Sequence, residues 1–105
     1  MMLKQIQERF RSGRIMYTKH AKDEMEGDES GEIRDQDIDE AVVNGKIIEA
    51  YPDDEPYPSC LVYGNTLQGR PLHVVCACAD EADLVIIVTA YQPDPDRWVE
   101  YERRK

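Results

Sequence analysis

Histidine occurs only twice in these 105 residues and cysteine only three times. An acid or base working near neutral pH therefore has two natural sources, His20 and His73. The cysteines are odd in number and lack Cys-x-x-Cys spacing, which argues against a disulfide framework and for reduced thiols. No apolar run approaches the roughly 20 residues that a membrane-crossing helix needs. The charged, periodic start MMLKQIQERF has no apolar core of a secretory signal. The expectation is a cytoplasmic chain that does not engage a membrane. Its length suits one domain over 1–105, with a modest core.

Charge is plentiful but unevenly placed. The net charge is -9, yet residues 1–22 carry six Lys and Arg against one Glu. Residues 23–55 carry fourteen Asp and Glu against two basic residues. Such blocks point to faces of opposite sign. The acidic middle disfavours a broad nucleic-acid footprint, and the basic first third leaves room for a small one.

The apolar pattern has helical spacing first and strand spacing afterwards. Leu3, Ile6 and Phe10 share one helical face, with Lys4, Arg9 and Arg11 turned away, over a helix expected within 1–13. RIMYT suits a short strand. Thr18 is placed to cap a second helix, and Asp35 a third that closes at Asn44-Gly45. KIIEAY, CLVYGNT, LHVVCACA and LVIIVTAY then read as strands, joined by hairpin-like connections and by PDDEPYPS, too rich in proline for a sheet. The expected class is α+β, with N-terminal helices packed on an antiparallel sheet of four to five strands. The segment QPDPDRW reads as an extended, proline-rich tail, in which Trp98 either docks on the sheet or lies exposed.

The stretch RPLHVVCAC brings His73 close to Cys76 and Cys78, which raises the question of a metal. In a regular strand His73 points to one face and both thiols to the other. Zinc needs ligands converging at about 2.0–2.3 Å, so no metal site is expected and the thiols read as packing groups. Thr89 and Tyr91 share a face of the last strand. If residue 73 pairs with 91 and 75 with 89, then His73, Thr89 and Tyr91 gather, whereas a one-residue slip scatters them. His20 lies one turn into a capped helix between Lys19 and Lys22. A helix start with two lysines suits phosphate and can keep a histidine available as a base.

The blocks YTKHAKDEM, DIDEAVVNGKIIEAYPDDEPYPSCLVYG, GRPLHVV and VIIVTAYQPDPDRW, in that order, resemble domain-of-unknown-function family 4258. The likeness runs from about Arg14 to Trp98, leaving 99–105 as a tail. That family is similar in predicted architecture to RelE/ParE-like toxins, so the resemblance implies a curved antiparallel sheet under a helical hairpin. It also implies a toxin–antitoxin module and a ribonuclease acting on messenger RNA, free or on the ribosome, without metal or other cofactor. The implied catalytic residues are His20, His73, Thr89 and Tyr91. Lys19, Lys22 and Arg70 are the expected phosphate contacts, and the expected partner is an antitoxin-like protein with a basic surface. The chain departs from the family in EGDESGEIRDQD, which is acidic where members often carry an arginine. The alternative is a non-catalytic protein-binding module using the same groove.

If the thiols serve packing, purified protein retains no stoichiometric zinc after dialysis. One tightly held equivalent, lost in Cys78→Ser, is the contrary result in metal analysis.

Overall fold

The computed structural model describes residues 3–105, so the first two residues of the expected N-terminal helix lie outside the described residues. Its helices are α1 (Leu3–Arg11), α2 (Lys19–Glu26) and α3 (Asp35–Val43). The strands are β1 (Ile15–Tyr17), β2 (Lys46–Tyr51), β3 (Ser59–Asn65), β4 (Pro71–Ala79) and β5 (Leu84–Tyr91). A short hairpin of β6 (Trp98–Val99) and β7 (Arg103–Arg104) follows. The five-stranded sheet has the order β1-β5-β4-β3-β2.

The α+β class is as expected, but the sheet is mixed. β2, β3, β4 and β5 form an antiparallel meander, whereas β1 runs parallel to β5, with Ile15 opposite Val85 and Tyr17 opposite Ile87. Local composition cannot reveal this pairing, because β1 is three residues long and its partner is at the far end of the chain. The residues after Pro93 are another departure. They close into a hairpin through consecutive left-handed residues, Glu100 and Tyr101 (φ 53° and 64°), and Trp98 is buried.

The core lies between the helices and one face of the sheet. Ile6 and Phe10 from α1, Ala21 and Met25 from α2, and Ile38, Ala41 and Val42 from α3 meet alternate strand residues. Those strand residues include Val62, Leu72, Val74, Cys76 and Ile87. All three cysteines are buried, and burial pushes the Cys76 thiol well above its ordinary pKa. Among the described residues no group of three His, Cys, Asp or Glu side chains converges in a way that could hold a metal.

Thr18 caps α2, its hydroxyl accepting from the Ala21 amide at 3.0 Å. For α3 the cap moves back one residue to Arg34, whose amide donates to Asp37 at 2.9 Å. Arg9 does not turn away as its helical position suggested. It is buried, and its guanidinium reaches Asp80 and Asp83 at 3.0 Å each, fastening α1 to the turn between β4 and β5. No helix is long and apolar enough to cross a membrane, among the described residues.

α3 rests on β3 at Gly64 with no space between the backbones. A Cβ there would lie 1.8 Å from the carbonyl oxygen of Ala41. Gly64→Ala should lower unfolding stability by about 3 kcal/mol or more, at the upper end of the overpacking range, measured by chemical denaturation. A change under about 0.5 kcal/mol, the usual size for a surface substitution, would show that the contact is looser.

Candidate active site

The parallel pairing of β1 ends at Tyr17, and α2 then runs beside the remaining half of β5. Thr18 joins the two elements: its amide donates to Ile87 O at 3.0 Å and its hydroxyl to Val88 O at 3.2 Å. From there the edge of β5 is closed by carboxylates. Glu24 Oε1 accepts the Thr89 hydroxyl and the Ala90 amide, the latter at 3.1 Å, and Asp28 accepts the Gln92 amide at 3.1 Å. Backbone donors that no strand covers are thereby satisfied.

The second oxygen of Glu24 faces His20, one turn earlier on α2, with Nε2 at 3.7 Å from Oε2. The His20 side chain is 69% exposed and that of Glu24 32%. His20 and Thr89, distant in sequence, thus flank one carboxylate at an open edge. A carboxylate this near an imidazole is placed to orient the ring. Glu24 was not among the residues the sequence singled out, although its four-residue spacing from His20 on a helix was a usable signal. Lys19 and Lys22 border this edge but are occupied: Lys19 reaches Asp23 at 2.8 Å, and Lys22 pairs with Asp35 over the ring of Tyr17.

His73 sits elsewhere, in a closed environment. The register left open by the sequence is His73 opposite Tyr91 and Val75 opposite Thr89. A bulge at Val88 follows, because Cys76 pairs with Ile87. Although His73, Thr89 and Tyr91 share a sheet face by pairing, their polar groups diverge. Thr89 turns to Glu24, whereas Tyr91 Oη meets His73 Nδ1 at 3.2 Å. His73 Nε2 lies 2.6 Å from the Tyr101 carbonyl, which can only accept, so Nε2 carries the proton and Nδ1 accepts from Tyr91. Trp98 closes the ring edge-on at 4.4 Å between centroids, Tyr63 lies at 5.8 Å, and His73 is wholly buried.

Burial pushes the His73 imidazole below its usual pKa range. The Tyr101 carbonyl and Glu49 act against that shift, and Arg104 adds to it. With both nitrogens satisfied in the neutral ring, His73 braces the sheet against the C-terminal hairpin. Arg70 is also committed, donating to Gln92 Oε1 at 2.6 Å and to the carbonyls of Gly31 and Glu32 at 2.6 and 2.9 Å, with Asp28 at 3.6 Å. It ties the acidic 27–34 loop to the sheet.

The site residues therefore fall into three places: an open edge with His20, Glu24 and Thr89, a sealed pair of His73 and Tyr91, and a brace at Arg70. The architecture is an α+β domain whose helices cover one sheet face and whose fifth strand meets the second helix at a polar edge. Residues 17–92 match a family described as a domain of unknown function (DUF4258), and the chain belongs to it. No curated protein and no solved structure matches the chain.

The His73 geometry makes stability depend on pH. A histidine whose folded pKa is depressed favours the fold fully above the unfolded value, about 6.5. That contribution drains away as pH falls toward and through the lowered folded value. Stability should therefore drop below about pH 6.5, and His73→Phe should flatten that part of the profile. An unchanged slope in denaturation curves would place the dependence on other groups.

Proposed function

We propose that this protein is a toxin-like ribonuclease of a two-protein module, cutting RNA without a metal at the edge where α2 meets β5. The observation carrying this reading is the open placement of His20 against Glu24, whose other oxygen is fixed by Thr89. In such cleavage His20 takes the 2′-hydroxyl proton as that oxygen bonds to phosphorus, the P–O5′ bond breaks, and the 5′-oxygen leaves with a proton from water, with Glu24 facing the ring throughout. Thr89 holds the carboxylate in place. Lys19 and Lys22 exchange their carboxylate partners for phosphate oxygens, which is inexpensive at an exposed surface because such pairs contribute little. His73, Tyr91 and Arg70 hold the sheet and loop that present this edge. The reaction class, with messenger RNA as substrate in the cytoplasm, rests on the RelE/ParE-like character that the sequence resemblance implies. The acidic 23–55 segment suits a partner with a basic surface, in the manner of an antitoxin.

A second reading, a non-catalytic protein-binding module, is favoured by the sealed His73 and by the carboxylates that occupy the cations.

Expression of the wild-type chain should arrest growth, and His20→Ala should not. In vitro, His20→Ala should slow RNA cleavage by about 10²–10⁴-fold with little change in binding. Lys19→Ala should weaken binding and reduce the salt slope by about one. Wild-type protein that neither arrests growth nor cleaves free or ribosome-bound RNA, yet binds the product of its neighbouring reading frame, would decide for the binding module.

A further inference from the structure

The sheet face turned away from the helices is covered over only part of its width. The covered part carries Tyr63, His73 and Tyr91, and the β6–β7 hairpin closes it with two kinds of contact. Trp98 packs on the His73 ring, and Arg104 reaches both oxygens of Glu49 at 2.9 and 3.0 Å. Lys46 of β2 pairs with Glu102 of the hairpin, a further charged contact between hairpin and sheet. An aromatic insertion and a guanidinium on a strand carboxylate are thus what this face accepts from its own chain.

Farther along β4, and back along β5 from Tyr91, the face is only partly covered: Val75 and Ile86 are half-buried, and Ala77 is buried at the base. Val75, Ala77, Ile86 and Val88 form the floor of a groove of about 350 Å³, and Pro56 and Tyr57 of the β2–β3 connection line it too. Met16, paired with Ile86 in parallel register and so on the same face, extends the floor and is 55% exposed. Val88, the bulge residue, is 36% exposed. Asp54 and Glu55 line the groove as well, and among the described residues no Lys or Arg does. An apolar floor beside carboxylates repeats the combination that the hairpin satisfies on the neighbouring strip. Contiguous exposed apolar surface with a polar rim is the usual sign of an interaction site.

We infer that this groove seats an extended segment of a partner protein in which apolar and basic residues alternate. Alternation follows from the extended backbone, whose successive side chains point to opposite sides. Apolar residues enter between Val75, Ile86 and Val88, and basic ones remain at the rim with Asp54 and Glu55. Net charge reinforces the choice, since the whole chain carries -9 and the block ending at Glu55 holds most of the excess acid. The inference does not depend on RNA cleavage, because His20, Glu24 and Thr89 lie outside the groove, whose border with that edge is Thr18 and Val88.

The test uses the full chain with two synthetic peptides, one alternating leucine and lysine and the other alternating leucine and glutamate. Binding is followed by amide chemical shifts and fluorescence anisotropy. The lysine peptide should shift the amides of Val75, Ala77, Ile86 and Val88, and the glutamate peptide should not. Val88→Lys should weaken the lysine peptide by at least about tenfold, equivalent to 1.4 kcal/mol. Glu55→Lys, at an exposed loop position that leaves the core intact, should weaken it in the same direction. His20→Ala should bind the peptide as wild type does, which separates this surface from the catalytic proposal. Shifts confined to residues 23–40, equal binding of the two peptides, or retained affinity in both variants would overturn the inference. So would occupation of the face by a second copy of the chain, seen as concentration-dependent shifts of the same amides without peptide.

Discussion

The contact on which the rest of the structure depends is the approach of α3 to β3 at Gly64. Because that residue has no side chain, the Ala41 carbonyl lies where a Cβ would stand, and helix and sheet touch backbone to backbone. Gly45, at the end of α3, is nearly as tight: a Cβ there would meet Ala41 O at 2.7 Å and Tyr63 O at 2.8 Å. Two glycines thus set the depth at which Ile38, Ala41 and Val42 enter the core. That depth also places α1, whose Gln7 donates to the Val42 and Val43 carbonyls at the end of α3. Glycine in a strand normally weakens it, and its presence in β3 is explained by this close backbone approach.

The helices and four strands of the meander were legible because their signals are local. Helical spacing at Ile6 and Phe10, the Thr18 cap and the turn at Asn44-Gly45 each act within a few residues. The pairing of β1 with β5 was not legible, since three apolar residues carry no record of a distant partner. Arg9 shows the same limit in another form. Its position on α1 pointed to solvent, but Asp80 and Asp83 come from a turn that only the folded chain brings near.

The site divided along similar lines. Parity along β4 correctly separated His73 from the two thiols, and the register that pairs it with Tyr91 was one of the alternatives the strands allowed. What parity could not supply was the direction of each polar tip. Thr89 is drawn to Glu24 because the edge of β5 needs acceptors there, and Tyr91 is drawn to His73 because the hairpin seals that strip from water. A glutamate one turn from a histidine was visible in the sequence, but its link to the last strand was not.

The β1–β5 pairing also sets an order of events. β1 and α2 are made early, while Ile15 has its partner only at Val85 and Glu24 reaches Thr89 and Ala90 only once the last long strand exists. Synthesis proceeds from the N-terminus, so during most of translation His20 and Glu24 stand on a helix with no strand beside it. Long-range pairing of this kind is slow to form, because the intervening chain must be ordered before the contact rewards it. The polar edge is therefore a property of the finished molecule, absent from a nascent chain that has not yet released β5.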